Sequence, residues 1–482
     1  MLRKNCTAFL LLTAMLASLA ACGGEGAAVD TTAASGGDTT AETATDRPAS
    51  GLPEADFNGE SFTFLNGNTA EWMTTYVVTA EEENGDTVND AIYKRNGVVE
   101  DKYNVVIEEI STKSVRADVT AAIASGDTSF DVALMVSADA NTITLEGGAL
   151  DYSAIPHVNV ENDWWIEGSV KDFSIGNRVY FAISQFDTTH YDGVRTFFFN
   201  KNLADKYNLE SPYQLVRDGK WTLDKFLELG MKVAQDLNGD SQWGAGDQFG
   251  YTSYNNIGGQ TLMTGVGVFP SLGKDKDDHL MVTMSSEENI NKLITLTDML
   301  AKNDGFLNPG GENSNSGGVA DFTGGRVMFY NETLSNIGQL RDMKDDFGII
   351  PAPKWNEAQP EYYSLGGNPY FMLVPITSPD LEKTGLLMEA LAYDSMGIID
   401  VAFYDTFLSV KVTRDEESPK MLDIIFSNLT YYHPVARSYF TSNITSRLWT
   451  GDTGYASYFA SNEAAIAGLI EEAEAAYEAN VK

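Results

Sequence analysis

The sequence predicts an α/β architecture, and three stretches carry that reading. Phe130-Asp131-Val132-Ala133-Leu134-Met135-Val136 is a nearly continuous apolar run, the pattern of a strand covered on both faces as in a parallel sheet. Ser61-Phe62-Thr63-Phe64-Leu65 alternates with period two, which is the pattern of a strand. Between them, Asp86 to Tyr103 carries Val88, Ile92, Val99 and Tyr103 near one helical face. Strands that alternate with helices place those helices against a sheet.

The remaining elements follow in order. Asn104 to Ile110 reads as a second strand, and Val115 to Ala124 as a helix that stops at Gly126. After Gly148-Ala149-Leu150-Asp151-Tyr152 comes a polar aromatic stretch with Trp164 and Trp165, placed either at a cleft rim or in the core. Arg178 to Ser184 and Phe197-Phe198-Phe199-Asn200 are strands. Thr222 is a plausible N-cap for a helix running to about Gln235, without the Glu or Gln three residues on that completes a capping box. Glu287 to Lys302 has helical period, and 308–318 is a Gly/Asn/Ser loop. Gly325 to Tyr330, Phe347 to Ile350 and Tyr370 to Val374 are strands, and from Leu381 onward the pattern is mostly helical. No repeat of fixed period occurs.

The chain has 482 residues and a formal charge of -37, a field that repels nucleic-acid phosphates and anionic lipid headgroups. Its N-terminus carries Arg3 and Lys4 and then an apolar run from Ala8 to Leu19, too short to span a bilayer and typical of a secretory signal over 1–21. Leu19-Ala20-Ala21-Cys22 resembles the lipobox of bacterial lipoproteins, which implies cleavage before Cys22 and lipid on that cysteine; the alternative is an ordinary Ala-x-Ala cleavage site. Residues 22–55 are Gly, Ala, Thr, Asp and Glu with almost no large apolar side chain, so they read as a flexible tether. Cys6 and Cys22 are the only cysteines, so the folded part has neither a disulfide nor a thiol nucleophile.

The order of several stretches resembles that of extracellular solute-binding protein family 1, the sugar-type, maltose-binding-like lipoproteins of ABC importers. Those stretches are Asn89-Asp90-Ala91-Ile92-Tyr93-Lys94-Arg95-Asn96, Glu100 to Val105, Gly126-Asp127 with Phe130-Asp131-Val132, and Asn200-Lys201-Asn202-Leu203 with Tyr207-Asn208-Leu209. Phe322 to Met328 and Phe347 to Pro353 complete the set. The resemblance covers most of residues 60–380. It implies a two-lobed, type II periplasmic-binding-protein-like fold in which lobes joined by crossing strands hold a ligand cleft. The expected crossings lie near Ser184 and near Gly366-Gly367, with one lobe of 56–184 plus 314–366 and another of 185–313 plus 367–482. It also implies a monomer at the extracellular face of the membrane, held by its N-terminal lipid, that passes a carbohydrate, expected to be an oligosaccharide, to permease subunits without catalysing a reaction.

Ligands of open α/β sheets sit beyond the carboxyl ends of the strands, so the candidate ligand residues are taken from those loops. They are Asn66, Asn68 and Trp72 after the first strand; Ser137, Asp139 and Asn141 after Val136; and Gln185, Asp187 and Tyr191 after Ser184. Tyr254, Asn255 and Asn256, then Tyr330, Asn331 and Glu332, and finally Tyr431 and Tyr432 complete the group. Aromatic faces cover sugar rings while amides and carboxylates satisfy their hydroxyls; each aromatic taken alone is as well explained by core packing. On closure, Asp139 and Tyr330 of one lobe are expected to approach Tyr254 and Asn255 of the other.

Asp236-Leu237-Asn238-Gly239-Asp240-Ser241-Gln242 and onward to Asp247 has the oxygen spacing of an EF-hand loop, with Asp236, Asn238, Asp240, Gln242 and Asp247 as the calcium set. Ser241 stands where glycine is usual, and Asp247 replaces the long terminal glutamate. A polar turn is the alternative; a structural calcium ion is favoured, and no catalytic cofactor is expected. His-Glu-x-x-His and Gly-x-Ser-x-Gly are absent, and Gly267 to Lys274 misses a phosphate loop by one residue of spacing. The competing readings are a surface glycosidase with paired carboxylates and a ligand sensor that docks to a receptor.

Overall fold

The computed structural model describes residues 49–67, 78–244, 246–307, 318–367, 369–403 and 416–480. The alternating stretch lies in β1 (Glu60–Gly67), where Phe62 and Phe64 are wholly buried. Asp86 caps α1 (Thr87–Tyr103) by accepting from the Val88 and Asn89 N–H groups, and Asn104 closes it at φ 47°. Short polar side chains suit both positions, as caps for free N–H groups and in left-handed backbone. The chain returns as β2 (Val105–Thr112), parallel to β1 from Glu60↔Val105 to Gly67↔Thr112. After α2 (Val115–Ser125), β3 (Val132–Val136) pairs with the other side of β1. α3 (Ser137–Leu145) follows it without a break, then α4 (Glu167–Phe173) and β4 (Phe181–Ala182). The strand expected over 178–184 thus shortens to two residues, because Arg178 turns back to bridge Ile175.

β5 (Arg195–Asn200) opens a second sheet. The Thr222 hydroxyl accepts from the Lys225 N–H and starts α5 (Leu223–Val233), after which come β6 (Phe249–Ser253) and α6 (Asn255–Gly265). A hairpin of β7 (Gly273–Lys274) and β8 (Leu280–Met281) precedes α7 (Glu287–Lys302). β9 (Val327–Thr333) lies between β5 and β6, and β10 (Phe347–Ile350) runs antiparallel to β5. β11 (Ser364–Leu365) meets β5 at Leu365↔Arg195.

The chain then returns to the first sheet. β12 (Tyr370–Leu373) inserts antiparallel between β3 and β4, and α8 (Leu381–Ser395) follows. After α9 (Ser418–Ser427), β13 (Leu429–Thr430) pairs with β11 in the second sheet. α10 (Arg437–Phe440), α11 (Ser442–Thr450) and α12 (Tyr455–Ala479) end the chain. The first sheet is ordered β2-β1-β3-β12-β4 and the second β13-β11-β5-β9-β6, with β10 also on β5.

The chain changes sheets at 183–194, at 366–369 and again between β12 and β13, but the stretch between the first two changes belongs elsewhere than expected. Residues 314–366 are expected beside 56–184, yet β9, β10 and β11 all pair in the second sheet. Residues 370–373, expected in the second lobe, form an internal strand of the first. Aromatic packing explains the first difference: Phe329 of β9 lies 5.2 Å from Trp221 and 5.3 Å from Phe226, ring to ring, in the core beside β5. The end of the stretch expected as a tether is part of the fold, since Leu52 and Ala55 pack against the first core and the Phe57 N–H donates to Tyr103 O. Residues 1–21 and Cys22 lie outside the described residues.

Trp164 and Trp165 are both core. Their indole N–H groups each donate at 2.7 Å to Glu389 of α8, a wholly buried carboxylate that also accepts from Asn159 N and Asn162 Nδ2. Burial pushes the Glu389 pKa up, against the four donors that lower it.

The lobes also meet away from the crossings. α12 starts on the second lobe, where Tyr455 bonds Thr297 of α7 at 2.6 Å, and ends on the first, where Asn480 Nδ2 donates to Thr144 O at 2.6 Å. Tyr180 and Tyr477 make an edge contact at 4.9 Å. Lys274 of the hairpin reaches Asp278 at 2.9 Å and Ser174 Oγ at 2.7 Å, just beyond α4.

Candidate functional site

In the first sheet β1, β3 and β4 run one way and β12 the other, so Asn66, Ser137 and Tyr370 gather at a single end. In the second sheet, Ser253↔Asn331, Arg195↔Thr333 and Leu365↔Arg195 mark the corresponding end. The crossings at 183–194 and 366–369 leave one sheet and enter the other at these ends, which therefore flank a shared junction. The crossings touch each other there. A β-carbon on Gly367 would stand 2.4 Å from Gly193 O, and one on Gly366 would stand 2.2 Å from the Tyr431 ring. The Gly-Gly pair is thus required by close approach.

At the first-lobe end, Asn66 is buried and its amide donates to Glu109 of β2 at 2.8 Å. Ser137 and Asn141 are buried on α3, and Asn66 Oδ1 and Asn141 Oδ1 have no hydrogen-bond partner among the described residues. Asp139 instead faces α2, 3.7 Å from Arg116. A cavity of about 20 Å³, room for one water, is lined by Asn66, Arg95, Phe186, Asp187 and Tyr370 among others. Arg95 is 1% exposed, and its guanidinium donates to Val78 O, Phe186 O and Asn96 Oδ1. Desolvation lowers its pKa to about 9. The Asn89–Asn96 stretch therefore ties α1 to the first crossing.

On that crossing, Asp187 accepts from the Thr189 N–H and hydroxyl, and burial pushes its carboxyl up to about 7. Tyr191 donates to Gln185 Oε1 at 2.6 Å, and its ring is buried in an apolar cluster that joins second-lobe residues to Val88, Ala91 and Ile92 of α1.

At the second-lobe end, Tyr254 is half-buried and caps α6, while Asn331 is fully buried and donates to Thr196 O at 2.7 Å. Glu332 accepts from the Thr333 N–H. Tyr330 lies opposite Thr252 of β6, so it shares a sheet with Tyr254 instead of approaching it across the cleft. Its ring packs 5.4 Å from Phe322 and 6.0 Å from Phe198, a core position. Tyr431 packs across the lobes, 6.3 Å from Phe173, and its N–H donates to Asp172, whose carboxyl burial pushes up to about 6. Tyr432 is 4% exposed and donates to Gln260 of α6 at 2.5 Å. Asn68 and Trp72 lie outside the described residues, as do the side chains of Asn255 and Asn256.

The sequence reading missed Arg95, Glu109, Arg195, Gln260 and Arg437. Arg195 escaped a rule that takes carboxyl ends of strands, because it stands at the amino end of β5, directly after a crossing. The others sit inside helices or on a neighbouring strand, where only the fold brings them near.

In the 236–247 loop, Asp236 accepts from Gly239 N and Ser241 N, Asn238 from Asp240 N, and Asp240 from Gln242 N. Asp247, wholly buried, accepts from Leu237 N and Gly244 N. Ser241 holds φ 61°, the conformation that favours glycine at this loop position. Among the described residues no group of three or more Asp, Glu, His or Cys side chains converges on a metal position.

A family model described as bacterial extracellular solute-binding protein matches residues 63–393. Among solved structures, the GacH receptor of Streptomyces glaucescens, studied unliganded and with acarbose, is 13% identical with a TM-score of 0.52, covering 86% of this chain and 99% of its own. A cyclo/maltodextrin-binding protein complexed with maltotetraose is 12% identical with a TM-score of 0.55, covering 88% and 97%. UgpB from Mycobacterium tuberculosis, in complex with glycerophosphocholine, is 13% identical with a TM-score of 0.53, covering 80% and 97%. At these identities the likeness speaks for the fold, a type II periplasmic-binding-protein arrangement with two lobes. No curated protein matches the chain.

Proposed function

We propose that this chain, which belongs to the bacterial extracellular solute-binding protein family, captures a carbohydrate between its lobes and delivers it to the permease of an ABC importer. The observation that carries this reading is the junction itself. Two open sheets present strand ends on either side of two crossings, with Asn66 and Asp187 lining one cavity at the first-lobe end and Tyr254 and Tyr432 at the second-lobe end. Such ends are where open α/β sheets take ligands, and hinge motion about two crossings is a known route to closure. The fold relatives described with acarbose, maltotetraose and glycerophosphocholine point to small polyhydroxylated solutes. A thermal-shift screen over mono- and oligosaccharides is expected to give a sharp rise in Tm. A response to peptides and none to sugars overturns the substrate class, and cleavage of an added oligosaccharide overturns the non-catalytic reading.

The anchor is part of the same proposal. Lipid on Cys22 holds the protein at the outer face of the membrane, each buried CH₂ contributing about 0.8 kcal/mol. Cys22→Ser is expected to release a folded protein from membranes; continued sedimentation with lipid excludes the lipobox.

The 236–247 loop is proposed as a structural calcium clamp, supported by its oxygen spacing and the left-handed Ser241. Extracellular sites of this kind bind at about 10⁻⁴–10⁻³ M. Calcium is expected to raise Tm, and Asp236→Ala with Asp240→Ala to abolish the rise; identical melting with and without chelator removes the claim.

A further inference from the structure

At the junction end of the second lobe, two arginines flank one tyrosine. Arg195 opens β5 and Arg437 opens α10, and their guanidinium carbons lie 5.9 and 5.2 Å from the Tyr432 ring centroid. Both side chains are half-buried. Arg195 Nη1 donates to Gln260 Oε1 and, at 3.2 Å, to the Tyr432 hydroxyl, both neutral partners. Its Nε is buried and has no acceptor.

Neither arginine reaches a carboxylate among the described residues, and the ionisable neighbours acting on Arg437 are Tyr432 and Arg195 itself. Five other arginines, Arg116, Arg178, Arg217, Arg326 and Arg447, pair with Asp or Glu, whereas buried Arg95 directs its donors to the Val78 and Phe186 carbonyls and the Asn96 amide oxygen. In a protein with 69 acidic residues, two cations beside one tyrosine thus have no carboxylate partner among the described residues. Two like charges partly out of water disfavour each other, and a guanidinium fork matches the paired oxygens of an acid. The net charge does not cancel this local field, because screening limits its reach to about 8 Å at physiological salt.

We propose that the captured solute carries an acidic group, the carboxylate of a uronic acid or a phosphate or sulfate ester, which Arg195 and Arg437 bind beside Tyr432. This rests on the carbohydrate reading above. The anion would complete the hydrogen bonding of both guanidiniums, and Gln260 with Tyr432 would hold Arg195 in place before it arrives.

The test is titration calorimetry of the full chain at low and high sodium chloride. Digalacturonate, glucose 1-phosphate, a sulfated disaccharide and inorganic sulfate are compared with neutral maltotriose and cellotriose. At least one acidic saccharide is expected to bind, more weakly at high salt, and Arg437→Gln is expected to weaken it tenfold or more. Whichever acidic probe binds identifies the carboxylate, phosphate or sulfate source. Salt-independent binding of a neutral sugar, unchanged in Arg437→Gln and without acidic binders, overturns the inference and leaves the carbohydrate reading standing. Binding of inorganic sulfate alone overturns it, as does an acidic saccharide whose affinity Arg437→Gln leaves intact. Failure of every saccharide, with binding of a peptide, removes both readings.

Discussion

Gly367→Ala is expected to lower stability by about 1–3 kcal/mol, the usual cost of forcing volume into a packed site, and to loosen the junction. The added carbon would stand 2.4 Å from the Gly193 carbonyl oxygen, with Gly193 Cα at 2.8 Å. Both obstacles are backbone, so no side chain can swing aside and the two crossings must separate. Urea denaturation measures the first effect. Small-angle scattering of the ligand-free protein measures the second, as a larger radius of gyration. Gly97→Ala is the control: it sits in α1 with open space at the β-carbon position. It is expected to stabilise by about 0.5–1 kcal/mol through helix propensity. If Gly367→Ala matches wild type in both measurements, the crossings are not packed as described.

Glu389→Ala is expected to cost about 3 kcal/mol or more. The substitution leaves the Trp164 and Trp165 indoles, the Asn162 amide and the Asn159 N–H without their acceptor. Each buried donor without a partner costs about 1–3 kcal/mol. Glu389→Gln keeps one acceptor oxygen and should fall between wild type and alanine. Near-ultraviolet circular dichroism should change in step with stability, since both indoles lose their fixed orientation. An alanine variant as stable as wild type would mean that the carboxylate is dispensable to that core.

Local pattern made the elements legible. Asp86, Thr222 and Gly126 mark helix ends in the sequence, and the structure uses all of them. The apolar run around Val132 announced an internal strand, and it is one. Partnership was less visible. Nothing in Gly325 to Tyr330 says that it pairs with β5 and β6, because pairing is decided by side chains far away in sequence, such as Trp221 and Phe226. The same limit governed the site. Loop positions near strand ends picked out Asn66, Asp187 and Tyr432, which lie at the junction as candidates, but Tyr330 and Tyr191 obey the same rule and face apolar cores. Arg437 was illegible because it gains its place only when α10 lies beside Tyr432.

β12 sits between β3 and β4, though it lies almost two hundred residues beyond β4 in the chain. A polypeptide delivered from its N-terminus releases β5, β6, β9 and β10 before β12 is available. The second sheet can therefore assemble its central strands while β3 still has an unpaired, apolar edge. Such edges recruit other chains, and closing so long a loop is slow. Nascent protein is thus most exposed to aggregation after β3 has emerged and before Leu373 has. The lobe that begins first in the chain thus waits for a strand that follows most of its partner's sheet, β13 excepted.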